Sequence, residues 1–244
     1  MMIPRLGVNI DHIATLRQLR GTSYPEVREA ARMAEAAGAH QITVHLREDR
    51  RHIQDADVKM LRSELKVALN LEMSIADEIV RFATRVRPDW ACLVPEKRKE
   101  VTTEGGLDIE KNKKRVASAI LSLKKAGIRV SCFIEPTKSA VKLSHELGAD
   151  AVEFHTGKYC LLFQRGLGSR AKAEIEKIRQ ASLLARKLGL HPHAGHGFDY
   201  ESVRPVVELD LIEEFNIGHA IVCRAALVGF ERAVREMVSA ITAP

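Results

Sequence analysis

Residues 43–52 read TVHLREDRRH, a strand pattern that turns into a dense polar loop within a few positions. Side chains of a strand alternate between two faces, so His45 and Arg47 share one face and the apolar residues on either side of His45 share the other. One face of this strand end therefore carries side chains that can bind or react with a substrate, and the other carries apolar side chains that can pack in a core.

Five other strand-like runs end in the same way. Each closes on polar residues: GVNIDH at 7–12, LNLEM at 69–73, VEFHT at 152–156, HAGHG at 193–197 and FNIGH at 215–219. Burying ionisable groups at so many strand ends is costly unless they meet partners or ligands. We therefore expect the strand ends to share one site, although residues 43–52 taken alone also fit a solvated surface hairpin.

Strand patterns alternate with amphipathic helical patterns along the chain. The predicted strands lie at 6–11, 41–46, 67–73, 90–95, 129–134, 151–155, 190–194 and 213–217. Helices separate them, with one predicted near 200–208 and a final one at 222–241, and polar loops are predicted at 14–24, 96–106 and 157–168. Four glycines mark helix ends that lead into short connections: Gly38, Gly127, Gly148 and Gly189.

This alternation of eight strands with helices predicts an α/β fold, a (β/α)8 TIM barrel with extra helices, as a single domain over residues 1–244. A doubly wound open sheet is the alternative. An open sheet gathers its ligands at one switch point, whereas polar residues here follow at least six strands, which favours the barrel.

The composition is that of an ordinary globular protein of 244 residues with a formal net charge of +6. Its basic residues are scattered, and three Tyr and one Trp offer little stacking surface, so we expect no nucleic-acid partner. The first residues lack the apolar core of a signal peptide, and no apolar run is long enough to cross a bilayer. With four cysteines that form no close pair, these features predict a cytoplasmic protein with no membrane partner.

Two groups of residues are suited to bind anions. Gly218 and His219 lead into the last helix, where backbone N–H groups can hold a phosphate, and Gly197 supplies a neighbouring turn. A simple tight turn is the alternative. The second group is made of guanidinium groups and a histidine: Arg20, Arg47, Arg50, Arg51 and His52. Each arginine taken singly fits a solvated surface, but together they predict substrates that carry two phosphates.

Glu72 ends an otherwise apolar strand. If it faces a barrel mouth, partial burial raises its pKa and makes it a general base, with His45 and His196 as partners that exchange protons near neutral pH. A structural ion pair with an arginine is the alternative. Glu153 and His155 share one face of the sixth strand and offer another inward carboxylate.

Two other functions stay open on the residues alone. His191 and His193 share a strand face, which suits a metal-dependent barrel hydrolase, although a catalytic metal needs further ligands at matching strand ends. The other alternative is a barrel that binds phosphate ligands without turnover, which the number of ionisable groups disfavours.

Taken together, these runs resemble the pyridoxine 5′-phosphate synthases of the deoxyxylulose-dependent vitamin B6 pathway. The likeness covers nearly the whole chain: GVNIDHIATLR at 7–17, the opening stretch through residue 53, NLEM at 70–73, residues 93–106, HTG at 155–157, AGHG at 194–197 and NIGHA at 216–220. It implies a homo-oligomer, typically an octamer, that uses no metal and no organic cofactor. It also implies that 3-amino-2-oxopropyl phosphate condenses with 1-deoxy-D-xylulose 5-phosphate to give pyridoxine 5′-phosphate, phosphate and water.

The resemblance also implies a role for particular residues. Proton transfer falls on His45, Glu72 and His196, with Glu153 as a supporting carboxylate. Contacts to the aminoketone phosphate fall on Asn9, Arg20, Gly197, Gly218 and His219. Contacts to the deoxyxylulose phosphate fall on Asp11, His12, Arg47, His52 and Thr102. The segment at 101–106 is expected to close over the intermediates and exclude water.

Two positions depart from the family pattern. His193 stands where the family commonly has Asn, which changes a polar contact in the expected barrel mouth. The stretch KYCLLFQR at 158–165 is more apolar than that loop should be, which favours packing at a subunit interface.

Overall fold

Eight parallel strands close into a barrel in chain order in the computed structural model, which describes residues 3–95 and 105–242. The strands are β1 Arg5–Asn9, β2 Gln41–Leu46, β3 Ala68–Met73, β4 Trp90–Leu93, β5 Arg129–Ile134, β6 Ala151–His155, β7 His191–Gly195 and β8 Glu214–Ile217. The last strand pairs with the first, from Arg5 opposite Glu214 to Val8 opposite Ile217. The predicted (β/α)8 barrel is confirmed, and the open sheet is excluded.

Helices cover the outside of this barrel. They are α1 Asp11–Arg20, α2 Val27–Ala36, α3 Asp55–Glu64, α4 Asp77–Val86, α5 Lys113–Lys125, α6 Lys138–Glu146, α7 Gly157–Gln164, α8 Gly168–Lys187, α9 Arg204–Val207, α10 His219–Val228 and α11 Phe230–Thr242. The four glycines predicted to end helices all have φ between 78° and 97°, a left-handed conformation that costs least without a side chain. The return connections are therefore short, as expected. Within the described ranges, no helix is both long and apolar enough to span a membrane.

The strands have an apolar outer face and a polar inner face. Val44 and Leu46 are fully buried in the apolar layer between the barrel and its helices. The hydroxyl of Thr43 instead donates to Asn216 Oδ1 at 3.0 Å. Because β2 and β8 are both neighbours of β1 and not of each other, this bond crosses the barrel interior. Gly7 on β1 leaves the room for it, since a Cβ there would lie 2.0 Å from Asn216 Oδ1.

Two segments predicted as loops are largely helical. The prediction at 14–24 is wrong because α1 occupies most of it; only Asp11, Ile13 and Ala14 of this helix are buried, so its apolar periodicity is weak. The prediction at 157–168 is wrong because α7 and the start of α8 occupy it. Tyr159 of α7 is buried and donates its hydroxyl to Ser202 O at 2.7 Å, so part of the apolar stretch packs within the chain.

Other differences concern the ends of elements. The final helix predicted at 222–241 is two helices, α10 and α11, because Gly229 between them has φ 87° and ψ 151°. The helix predicted near 200–208 shortens to α9, and β1 ends at Asn9 because Asp11 already begins α1. The loop predicted at 96–106 lies outside the described residues except for Gly105 and Gly106.

Candidate active site

The carboxyl ends of the strands open into one cleft of about 660 Å³. Residues predicted as site residues line it from the ends of β1, β2, β3, β6, β7 and β8: Asn9, Asp11, His12, His45, Arg47, Glu72, Glu153, His196, Gly197, Gly218 and His219. Within the described residues, Arg20 and His52 do not line the cleft, and Thr102 lies outside those residues. The barrel thus brings together side chains that are more than 200 positions apart in sequence.

Asp11, His45 and Glu72 form the most compact part of the cleft. His45 and Glu72 lie opposite each other on the paired strands β2 and β3. Asp11 Oδ1 accepts a hydrogen bond from the backbone N–H of His45 at 2.8 Å, and Asn9 Nδ2 donates to Asp11 Oδ2 at 3.0 Å. One ligating atom from each of the three residues lies within 4.8 Å of the others, a spacing that also fits a metal ion.

Burial sets the protonation of this cluster. Burial, followed by the charges of Asp11 and Glu153, raises the pKa of Glu72 well above its usual range. Burial also raises the pKa of Asp11 to about 7, although hydrogen bonds from His45 and Asn9 lower it. Burial, followed by the nearby Arg47 and His52, lowers the pKa of His45 to about 3. Burial thus favours the neutral form of the Glu72 carboxyl, and near neutral pH the His45 imidazole is neutral.

Glu153 lies deeper in the barrel than Glu72. Its Oε2 accepts a hydrogen bond from Asn216 Nδ2 at 2.8 Å, and its Oε1 would lie 2.1 Å from a Cβ at Gly195. Burial, followed by the charge of Glu214, raises the pKa of Glu153 to about 8. The glycine at 195 is thus needed to make room for a buried carboxyl that is protonated near neutral pH.

The turns after β7 and β8 form one end of the cleft. Gly218 caps the N-terminus of α10, where the backbone N–H groups and the helix dipole favour an anion. A Cβ at Gly218 would lie 2.7 Å from the backbone oxygen of Asn9, so this close approach requires glycine. The rings of His12 and His219 meet edge to face at 5.0 Å, and burial followed by His219 lowers the pKa of His12.

The predicted arginines, all of them among the described residues, differ in their position relative to the cleft, since Arg47 alone of them lines it. Arg47 lines the cleft and pairs with Asp49, with 3.3 Å between Nε and Oδ1. Arg50 instead pairs with Asp55 at 2.8 Å and Glu78 at 3.0 Å, so the interpretation of Arg50 as an anion ligand is not supported by its contacts. Sequence alone could not distinguish these two arginines because both follow the same strand.

The segment that carries His52 is held from outside the cleft. Arg17 on α1 forms two hydrogen bonds with Asp57, at 2.8 and 2.7 Å, and donates a third to the backbone oxygen of His52 at 3.2 Å. The rings of His45 and His52 lie 6.1 Å apart. This bidentate pair fixes α1 against α3 and sets the position of His52 beside the cleft.

The family model for the pyridoxal phosphate biosynthesis protein PdxJ matches residues 6–243. The chain belongs to the PdxJ family. A relative from Syntrophotalea carbinolica named pyridoxine 5′-phosphate synthase is 53% identical over 232 residues, which cover 95% of this chain and 96% of that protein. Another protein of that name, from Trichlorobacter lovleyi, is 53% identical over 98% of this chain and 99% of its own length.

Solved structures outside the PdxJ family share the barrel. Thiamine phosphate pyrophosphorylase from Pyrococcus furiosus superimposes with a TM-score of 0.60 at 15% identity, over 97% of this chain and 95% of its own. Phosphoribosyl anthranilate isomerase from Thermus thermophilus gives a TM-score of 0.58 at 12% identity, over 97% of this chain and 98% of its own. At such low identity these likenesses show the fold alone.

The histidines on β7 do not form the metal centre considered from the sequence. His191 is exposed and pairs with Glu213 at 2.8 Å, and buried His193 lies 3.6 Å from Glu214. His191 begins β7 and His193 lies at its middle, opposite Glu214, whereas His196 lies past the carboxyl end of the strand. Two residues that share a strand face still differ in their depth along the barrel, so the shared face of His191 and His193 does not by itself predict a common site.

Two further residues belong to the site but were not among the predicted site residues. His155 ends β6 and lines the cleft, and Glu135 follows β5 and lies 2.8 Å from His155 Nδ1. The parity of His155 with Glu153 was a usable signal. The contact of His155 with Glu135 has no sequence signal, because it depends on the pairing of β5 with β6.

Proposed function

We propose that this chain acts as a pyridoxine 5′-phosphate synthase, condensing 3-amino-2-oxopropyl phosphate with 1-deoxy-D-xylulose 5-phosphate. The products are pyridoxine 5′-phosphate, phosphate and water. One observation carries the proposal: the compact cluster of Asp11, His45 and Glu72 lies in a cleft that is also lined by Arg47 and by the glycine turn at Gly218, which are suited to bind phosphates. Schiff-base formation, enolisation, dehydration and ring closure are successive proton transfers, and such a cluster of acids and bases can perform them.

Glu72 and His45 are the proposed bases for condensation and dehydration. A protonated Glu72 becomes a base when the amine or Schiff base of the substrate brings a positive charge beside it, because an adjacent cation lowers the pKa of a carboxyl. His45 is already neutral near pH 7 and can accept a proton at Nε2, a buried atom without a hydrogen-bond partner among the described residues. The two residues can thus act in different steps of one reaction.

His196 is the proposed acid that protonates a leaving oxygen or phosphate. It lies exposed at the cleft, with φ 72°, between Gly195 and Gly197. Glu153 is the proposed supporting carboxyl, and only when it is ionised does its charge add to the rise in the pKa of Glu72.

The two phosphates are assigned to two neighbouring groups of residues. The aminoketone phosphate is assigned to Asn9, Arg20, Gly197, Gly218 and His219. The deoxyxylulose phosphate is assigned to Asp11, His12, Arg47, His52 and Thr102. The exposed position of Arg20, at the last turn of α1, means that it must move or act from the rim of the cleft to reach a phosphate.

The remaining proposals concern assembly and surroundings. Large apolar side chains are exposed on neighbouring helices, with Leu19 of α1 at 78% and Leu227 of α10 at 81% exposure, which supports a homo-oligomer such as an octamer. We assign residues 1–244 to one domain and the protein to the cytoplasm. Light scattering of the purified protein measures the oligomer directly.

The test of function is to mix purified, metal-stripped protein with both substrates. The proposal predicts the ultraviolet absorbance of a new pyridine ring together with an equal amount of released phosphate. Binding of both substrates without a pyridine ring would instead support a phosphate-binding barrel. Activity that depends on added metal would support a metal ion at Asp11, His45 and Glu72.

A further inference from the structure

A buried histidine lies directly beneath His196. His155 ends β6, its side chain is 4% exposed, and its Nδ1 lies 2.8 Å from Glu135 Oε1. The rings of His155 and His196 have their centroids 5.1 Å apart and are tilted by 49°. Phe133 packs against both rings, at 5.4 Å from His155 and 6.3 Å from His196. The two imidazoles are therefore held together in one packed group.

Glu135 determines which nitrogen of His155 carries the proton. Burial acts to raise the pKa of Glu135, but hydrogen bonds from His155 and from the backbone N–H of Gly106, with the charge of Lys158, leave it lowered. An ionised carboxylate only accepts hydrogen bonds, so Nδ1 of His155 must be protonated and donate to it. In neutral His155 the lone pair is then on Nε2, which is buried and has no hydrogen-bond partner among the described residues.

The space in front of that lone pair faces His196. A Cβ at Gly157 would lie 2.7 Å from His155 Nε2 and 3.0 Å from His196 Cδ2, so both atoms border the same small volume. A half-turn of the His196 ring about its Cβ–Cγ bond exchanges Cδ2 with Nδ1. An N–H···N bond between two imidazoles, with about 2.9 Å between the nitrogens, places the ring centroids about 5 Å apart. The observed separation of 5.1 Å is therefore compatible with such a bond.

We propose that His155 is a positioning residue for His196, accepting a hydrogen bond from His196 Nδ1–H at its own Nε2 while Glu135 holds its Nδ1–H. This series of hydrogen bonds, which links Glu135, His155 and His196, fixes the tautomer of His196. The proton that His196 gives to a leaving group then comes from Nε2, and the ring is left neutral with its proton on Nδ1. The inference rests on the proposed function only for the identity of the reaction that His196 serves.

Two variants of His155 separate this role from simple packing. The amide of His155→Gln reaches the position of Nε2 and can accept the bond from His196, whereas that of His155→Asn reaches only the position of Nδ1 and can keep the contact with Glu135. We expect kcat to fall roughly 10- to 100-fold in His155→Asn and only about threefold in His155→Gln, with KM for both substrates changed about twofold at most. Equal loss in both folded variants, or loss in neither, would overturn the proposal.

A spectroscopic measurement keeps the test independent of turnover and of variant folding. Nitrogen-15 NMR of the wild-type protein with labelled histidine reports the tautomer of each ring. We expect the Nδ1–H tautomer for neutral His155 and for neutral His196. The Nε2–H tautomer at neutral His196 would contradict the proposed hydrogen bond from His196 to His155. Failure of the wild-type protein to form a pyridine ring would instead count against the proposed function and leave this tautomer test valid.

Discussion

Replacing Glu153 by Gln should make the free energy of unfolding less dependent on pH. The Glu153 carboxyl is 3% exposed inside the barrel, and burial, followed by the charge of Glu214, raises its pKa from 4.5 to about 8. In the unfolded chain the group ionises near its usual pKa. Between the two values the folded state therefore binds more protons than the unfolded state, so the wild-type protein loses stability as the pH rises through this window.

The size of the effect follows from proton linkage. One proton contributes about 1.4 kcal/mol per pH unit within the window, so the wild-type protein should lose about 2.7 kcal/mol between pH 5.5 and 7.5 through this group. Glu153→Gln removes this titration. Its amide oxygen can still accept the hydrogen bond from Asn216 Nδ2, which is 2.8 Å long in the wild-type protein. The variant should thus gain stability relative to wild type as the pH rises.

Urea unfolding at the two pH values measures this directly. Trp90, the single tryptophan, is buried in the barrel and provides the fluorescence signal. Protein concentration is kept constant because assembly also stabilises folded chains. Glu29→Gln on the exposed side of α2 controls for the loss of one carboxylate. The difference in unfolding free energy between the Glu153→Gln variant and the wild-type protein should be larger at pH 7.5 than at pH 5.5. If that difference is the same at both pH values, the reasoning is refuted.

Two further predictions concern the cleft. Gly218→Ala places a Cβ 2.7 Å from the backbone oxygen of Asn9, so we expect KM for a phosphorylated substrate to rise roughly tenfold, about 1.4 kcal/mol of binding, in steady-state assays. Gly168→Ala, where a Cβ meets nothing within 4 Å, is the matched control and should leave KM unchanged. Asp11→Asn removes a charge that raises the pKa of Glu72, so the acid limb of the kcat profile should move to lower pH; a limb that stays in place contradicts this coupling.

The barrel could be predicted because its signals are local. Each strand shows its own polar end, and glycines such as Gly38 and Gly148 stop helices wherever a left-handed residue is needed. Helix α1 could not be predicted because it buries few residues and shows little apolar periodicity. Helix α7 was missed because its apolar residues looked like an interface, whereas Tyr159 packs into the chain itself.

The site could be predicted only in part. Glu72 and His45 were recognisable because each is the only ionisable residue of its strand. The depth of a residue along the barrel has no sequence signal, which is why His193 was first placed near the mouth. The pairing of Glu135 with His155 also depends on which strands are neighbours, and this is known only once the barrel is closed.

The central claim is that Glu72 performs proton transfer in a cleft that holds two phosphorylated substrates. The most direct measurement is the initial rate of pyridine-ring formation by metal-stripped wild-type protein and by Glu72→Gln, which preserves the shape of the side chain. We predict rapid ring formation by the wild-type protein and a rate lower by roughly 10²- to 10⁴-fold in a folded Glu72→Gln variant. Near-normal turnover by that variant would contradict the account.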